Sequence, residues 1–248
     1  WFYPVIFVVS IGLVCASVLA FTLALIYPTL PSLEVLTDYK PKIPLRIYSA
    51  ENTLIGEFGE ERRAVVKIEE VPKIMRQAIL AAEDERFYTN GGVDYQGVLR
   101  AALSNLTSGG AKEGASTITM QVARNFFLTN EKTFTRKLSE VLLSFKIEKN
   151  LTKDQILELY LNQIYLGQRA YGFASAANTY FGKDLKDITL DEAAMLAGLP
   201  KAPSRFNPVV NPKRATLRQR YVLRRMRQLN FITAEQFDEA VKMPLRLA

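Results

Sequence analysis

Glu83 and Asp84 stand side by side at the end of an apolar helical run, Lys73 to Phe87, and a carboxylate pair so placed is a natural start for proton-transfer chemistry. A second candidate group lies on the helix expected from Ser116 to about Leu128. At about 100° per residue, Thr117, Gln121, Arg124 and Asn125 share one polar stripe, and Ile118, Val122 and Phe126 form the apolar stripe opposite. Such a stripe is commonly just a solvated face. Here it is approached through a Gly/Ala/Ser turn, which presents free amides at a helix amino terminus with Arg124 close behind, and a pyrophosphate would suit that setting.

The third group is in FTRKLSEVLLSFKIE. Leu138, Val141, Leu142 and Phe145 read as its core stripe, which puts Glu140 on the far side with Arg136 one turn earlier. As a surface pair this would contribute only about 0.3–0.5 kcal/mol. Leu143 and Ile147 share that side, however, and a face mixing Arg, Glu and large aliphatics fits a cleft opening onto lipid. Two well-separated carboxylates suit chemistry at an anomeric carbon, one moving a proton and the other managing charge near the leaving group. Spacing alone does not single out Glu83 and Glu140 among 25 acidic residues.

Composition narrows the choice. The 248 residues include no histidine and one cysteine, Cys15. Ser-His-Asp and Cys-His catalysis, histidine metal sites and an intramolecular disulfide are thereby excluded. No Asp, Glu, Lys or Arg occurs from Trp1 to Leu33, and Val5 to Ile26 is long enough to cross a bilayer at about 20 residues per span. It is too long for a secretion-signal core and runs on into YPTLP, so a transmembrane anchor is expected. The start at Trp1, without Met or a basic flank, suggests that a cytoplasmic piece precedes it. All 32 basic and 25 acidic residues follow the anchor, and their net charge of +7 beside a membrane suits a phosphorylated lipid or anionic headgroups. Nucleic acid is rejected as a partner, given the anchor and the lack of zinc-finger spacing or an aromatic-rich sheet motif.

Residues 27–44 read as an extended, proline-punctuated connector, followed by a β-hairpin from Leu45 to Tyr48 and Leu54 to Phe58. From Val71 onward the pattern is helical. Pro72 opens one helix and Asp94 caps another through Leu103, while Thr152 with Gln155, Thr189 with Glu192 and Thr233 with Gln236 have capping-box spacing. A basic helix is expected from about Arg214 to Gln228. The fold class is therefore mostly α, with about eight to ten helices.

Taken together, EDERFYTNGGVD, GASTITMQVARN, RKLSEV, KDQILELYLN (continuing as NQIYLGQRAYG) and RQRYVLRRM, in that order, closely resemble the five motifs of glycosyltransferase family 51. The chain is similar to the membrane anchor and glycosyltransferase domain of class A penicillin-binding proteins of the 1A type. That resemblance implies a lysozyme-like helical domain and polymerisation of lipid II with inversion, releasing undecaprenyl pyrophosphate. Glu83 matches the base that deprotonates the acceptor sugar, Asp84 its organising neighbour, and Glu140 the second catalytic glutamate beside Arg136 and Lys137. Ser116, Thr117, Gln121, Arg124 and Asn125 match the motif that meets the pyrophosphate and sugars, and Phe87, Tyr165 and Arg218 match substrate-lining positions. Ile156, Leu157, Tyr160 and Leu161 are better read as core.

No cofactor is required by this resemblance, although a divalent cation, Mg or Mn, is compatible with the pyrophosphate and no metal-ligand cluster is evident. The implied partners are lipid II, the growing lipid-linked glycan, membrane lipids and other cell-wall synthesis proteins. The implied location is the bacterial inner membrane, single-pass, with the catalytic domain in the periplasm. The implied boundaries are 1–27 for the anchor, 28–60 for the connector, 61–242 for the glycosyltransferase domain and 243–248 for the start of a linker. Ser-x-x-Lys and Lys-Thr-Gly are both missing, so either a transpeptidase domain lies outside these residues on a longer protein, the reading that the anchor and connector favour, or the chain is a one-domain relative. Three positions depart from the family pattern: Asn90 stands for His, Met120 for Gln and Gln219 for Arg. Asn90 can replace one His hydrogen bond but not its proton chemistry. The rival readings are a glycan-cleaving enzyme and a non-catalytic anchored scaffold.

Overall fold

The charge-free amino terminus forms a single helix, α1 (Phe2–Ile26), which at about 1.5 Å per residue is long enough for the hydrocarbon core of a bilayer. The computed structural model describes residues 2–37, 45–51, 54–59, 61–108, 116–128 and 133–248. The Gly-rich stretch 109–115 ahead of Ser116 lies outside them.

The connector is not simply extended as expected. A 3-10 turn (Tyr27–Thr29) and a short helix, α2 (Glu34–Thr37), follow α1. Leu36 is buried in the domain core, Leu30 and Leu33 pack against it, and Lys146 donates to the Pro31 carbonyl at 2.9 Å. Burial of leucines overrides the proline punctuation. The hairpin forms where alternation placed it: β1 (Leu45–Tyr48) pairs antiparallel with β2 (Leu54–Phe58). Two-residue strands β3 (Arg62–Arg63) and β4 (Ala170–Tyr171) pair in parallel.

The domain itself is helical: α3 (Lys73–Glu83), α4 (Tyr95–Ser108), α5 (Ile118–Phe127), α6 (Phe134–Asn150), α7 (Lys153–Gln163), α8 (Phe173–Phe181), α9 (Leu190–Gly198), α10 (Pro212–Gln228) and α11 (Ala234–Lys242). All three expected capping boxes form, at Thr152, Thr189 and Thr233, and Asp94 accepts the Gly97 amide at 3.0 Å. α3 packs on α9 and α10, while α5 packs on α6 and α7. The packed helices surround a fully buried set that includes Met75, Ile79, Ile156, Leu157, Phe173 and Val222.

One face is reversed from expectation. On α6 the buried stripe is Glu140, Leu143, Ser144 and Ile147, whereas Leu138, Val141 and Leu142 are only partly covered and Phe145 is 38% exposed. Both faces of this helix carry aliphatics, so hydropathy did not decide which one meets α5. The polar members of the buried face are satisfied by partners, Glu140 by two cations and Ser144 by the Val141 carbonyl, which removes the usual penalty. α4 likewise exposes Tyr95, Val98, Leu99 and Leu103.

Candidate active site

Met75, Ala78 and Ile79 form the wholly buried stripe of α3, and Glu83 follows one turn beyond Ile79 on the same side. The helix therefore drives a carboxylate into the interior, where it reaches the wall of a cleft of about 820 Å³. Gln121 donates its amide to Glu83 Oε2 at 2.9 Å, and Arg218 Nη2 lies 3.7 Å from Oε1. Burial pushes the Glu83 carboxyl up, opposed by the Gln121 amide and the Arg218 charge. A carboxylate held this way can take a proton at neutral pH.

Asp84 caps the carboxyl end of α3 and joins it to the next helix pair. Its Oδ2 accepts the Ile118 amide at 3.1 Å, and its Oδ1 accepts from Asn90 Nδ2 at 3.0 Å. Asn90 Oδ1 in turn accepts from the Gly92 amide at 3.1 Å and from Lys153 Nζ at 3.3 Å. Asn90 thus serves as donor and acceptor at once, a task that needs no titration. Gly92 has φ +93°, and a Cβ there would stand 3.0 Å from Glu148 Cγ and 3.1 Å from the Ser144 carbonyl, so the loop can close only with glycine. Thr117 Oγ1 donates to the Gly92 carbonyl at 2.6 Å while capping α5. Burial raises the Asp84 carboxyl to about 6 despite the Ile118 and Asn90 hydrogen bonds.

A pH dependence follows. Activity that needs both carboxylates ionised falls as pH drops below about 6. Stability moves oppositely. Folded Asp84 binds its proton near pH 6 and the unfolded chain only near 3.8, so its contribution to stability rises as pH falls from about 6 toward 4. Turnover from pH 5 to 8, with melting of wild type against Asp84→Ala over pH 4 to 8, checks both; parallel trends would remove Asp84 from this role.

α5 is buried through its first two turns, Thr119 and Gln121 included, so its polar stripe is no solvated face. Ser116, Thr117, Gln121 and Arg124 line the cleft together with Glu83, Asp84 and Arg218. Asn125 is half-buried beside them without lining it. Met120, the second departure, is buried at 3% exposure. Gln219, the third, donates to the Asp191 carbonyl at 2.8 Å and borders a separate cavity of about 120 Å³.

Glu140 is 1% exposed and is held from both sides. Arg136 Nη1 donates to Oε1 at 2.7 Å and Lys137 Nζ to Oε2 at 2.9 Å. Lys137 also donates to Ser116 Oγ at 2.8 Å. Glu140 is not itself among the cleft-lining residues, and its link to the cleft runs through Lys137 and Ser116. Two other expected positions stand apart. Phe87 is fully buried under Lys153, whose Nζ lies 4.6 Å from its ring centroid. Tyr165 pairs with Tyr171, ring centroids 5.0 Å apart, and neither is on the cleft wall.

Sequence reasoning missed Lys201, Glu85, Arg100, Phe206, Tyr221 and Arg225, all of which line the cleft. For two of them a signal exists: Arg218, Tyr221 and Arg225 are spaced i, i+3, i+7 and share one side of α10. The Arg218 guanidinium lies 4.5 Å from the Tyr221 ring centroid and donates to the Gly198 carbonyl at 3.4 Å. Gly198 makes this possible, because a Cβ there would stand 2.8 Å from Arg218 Cγ. Gly198→Ala should therefore push Arg218 away from Glu83 and lower kcat by between about tenfold and a hundredfold, with KM less affected. Steady-state kinetics checks this; an unchanged kcat would mean that Arg218 does not need this position.

Tyr160, read as core, is 1% exposed and its hydroxyl has no hydrogen-bond partner among the described residues. Burial, then the nearby Glu83 charge, pushes the phenol well above its ordinary value. No group of three or more His, Cys, Asp or Glu among the described residues is placed to hold a metal ion.

Comparison with known proteins agrees with this arrangement of elements. A family model described as Transglycosylase matches residues 51–227. Penicillin-binding protein 1A of Neisseria gonorrhoeae is 58% identical over 238 residues, 96% of this chain and 29% of that protein. Its namesake in Pseudomonas aeruginosa is 50% identical over 237 residues, 95% of this chain and 29% of that protein. The crystal structure of penicillin-binding protein 1A from Haemophilus influenzae superposes with a TM-score of 0.50 at 33% identity, over 84% of this chain and 22% of that one. The chain spans under a third of the length of these relatives. Because the family match extends over well more than half of its residues, and takes in the α3 carboxylates, the α5 stripe and the α10 arginines, the chain belongs to the transglycosylase family.

Proposed function

We propose that the chain is a peptidoglycan glycosyltransferase that polymerises lipid II into glycan strands. The observation that carries this reading is Glu83, a largely enclosed carboxylate (12% exposed) braced by Gln121 and Arg218 on the wall of a cleft that also presents Arg124 and Lys201. Glu83 accepts the proton of the acceptor's sugar 4-hydroxyl. That oxygen bonds to the anomeric carbon of the growing chain with inversion, the carbon–oxygen bond to pyrophosphate breaks, and undecaprenyl pyrophosphate leaves with the electron pair. Arg124, Lys201 and Arg218 face the charge that develops, a preorganised electrostatic contribution. Glu140 acts by fixing Arg136 and Lys137, and Lys137 fixes Ser116 on the cleft wall. A Mg or Mn ion would be carried largely by the pyrophosphate oxygens.

The setting fits a membrane-borne substrate. α1 is compatible with a single-pass inner-membrane anchor, and the exposed apolar side chains of α4 and α6 suit contact with lipid. We place the domain on the periplasmic side, where the wall is built. Incubating the full chain with labelled lipid II in detergent should yield long glycan strands. Release of fragments from preformed peptidoglycan, with no strands made, would overturn the proposal in favour of a glycan-cleaving enzyme.

A further inference from the structure

We propose that the outer face of α10, along one rim of the cleft, is a docking surface for anionic phospholipid headgroups; this goes beyond the reaction above and rests on the reading of α1 as a membrane anchor. α10 contains no Asp or Glu. Arg218 and Arg225 turn into the cleft, and Arg227 turns toward α11, its guanidinium 5.5 Å from the Phe237 ring centroid. Lys213, Arg214, Arg220 and Arg224 remain. All four are exposed and off the cleft wall, and none has an acidic partner among the described residues. Lys213, Leu217, Arg220 and Arg224, spaced i, i+4, i+7 and i+11, share one face, and Leu217 on it is more than half exposed. Val209 and Val210, just ahead of the helix, are equally bare. They are held that way, because the Oδ1 of buried Asn207 accepts both their amides, at 2.9 and 3.3 Å.

Unpaired cations ask only for an anion; the apolar side chains among them decide which kind. Carboxylates on a hydrated glycan would satisfy the arginines and leave Val209, Val210 and Leu217 in water. A bilayer surface takes both sets at once, phosphates meeting the cations and the acyl boundary meeting the aliphatics. The neighbouring rim agrees with this. α4 carries exposed Val98, Leu99 and Leu103, and Glu85 spans from one helix to the other, accepting from Arg100 Nη1 of α4 at 2.8 Å and from Arg225 Nη2 of α10. The two helices thus flank one opening, and each presents lipid-compatible side chains outside it. Only the α10 side is cationic, so only its docking depends on headgroup charge.

The test reconstitutes the full chain into vesicles of phosphatidylcholine with or without phosphatidylglycerol, using Trp1→Phe with Val210→Trp so that one tryptophan reports from the α10 rim. Lipids brominated near the top of the acyl chain should quench it more strongly when phosphatidylglycerol is present. The affinity of the tryptophan itself for the interface is common to both vesicles and cancels in the comparison. Each cation at an anionic surface favours association about fivefold, so adding Arg220→Gln and Arg224→Gln should weaken docking about twenty-five-fold, and about 1 M salt should abolish the difference by screening. Equal quenching in the two vesicles, or a difference that survives the loss of both arginines, overturns the inference. So does retention of the parent chain, but not of the double arginine variant, on glycan strands in buffer, which would assign the face to glycan carboxylates. Both arginines lie off the cleft wall, so their loss should leave melting and polymerisation of lipid II in detergent unchanged; polymerisation lost there would assign them to the reaction instead and overturn the docking role. A chain that floats with neither vesicle would overturn the anchor reading, and this inference with it, whereas failure to polymerise lipid II overturns only the proposed reaction.

Discussion

Replacing Glu83 by Gln should abolish strand formation, by about a thousandfold or more, while raising the melting temperature. On the role proposed for Glu83, the loss is that of a general base, which typically contributes 10²–10⁴-fold. The gain follows from burial. Burial raises the carboxyl of Glu83, so its ionised form is held at neutral pH against a desolvation penalty. Gln removes that charge and can still accept the Gln121 amide through its own carbonyl oxygen. Arg218 keeps the Gly198 carbonyl and its stacking on Tyr221. Polymerisation of labelled lipid II together with thermal melting reads both effects. A variant that is inactive and also less stable would point to misfolding rather than to a lost base.

Glu140→Gln should lower activity and stability together. This acid is almost wholly enclosed and satisfies Arg136 and Lys137 at once, at 2.7 and 2.9 Å. Removing one partner of a buried ion pair typically costs about 3–5 kcal/mol, because the remaining charge is left unpaired. Lys137 is 44% exposed and will recover much of its hydration, so the lower end applies, about 3 kcal/mol, or roughly a 10 °C fall in melting temperature. Activity should drop about a hundredfold, because Lys137 and Ser116 lose the geometry that Glu140 imposes on the cleft wall. Glu140→Asp retains the charge and should recover part of both. Equal melting of wild type and Glu140→Gln would contradict the enclosed ion-pair account.

The opposite thermal signs expected for these two glutamates are not legible in the sequence, where both read simply as acids on helices. What the sequence does carry is local: capping boxes at Thr152, Thr189 and Thr233, the Asp94 cap and the β1–β2 hairpin all form where side-chain spacing placed them. Local signals fail where a choice is made by packing. α6 has aliphatics on both faces, and only packing against α5, with Glu140 and Ser144 already satisfied by Arg136, Lys137 and the Val141 carbonyl of α6 itself, selects the polar-looking face for burial. The cleft walls contributed by Lys201, Phe206 and Glu85 are tertiary meetings of loop and helix-end residues, and no periodicity announces them. The motif resemblance reaches Glu83, the α5 residues and Arg218. It also includes Phe87 and Tyr165, which the fold keeps off the cleft wall.

Lys146 lies on the same helix as Glu140, and its bond to the Pro31 carbonyl ties that helix to the chain just beyond α1. With Leu36 buried in the domain and Leu30 and Leu33 packed on it, little slack is left between anchor and enzyme. A domain on a long tether would sweep a volume set by tether length and meet its substrate at the corresponding effective concentration. On the proposed anchoring and lipid-borne substrate, a clasped domain would instead be confined to a thin slab at the bilayer surface, and encounter would become a lateral search in two dimensions governed by the number of lipid-borne molecules per unit area.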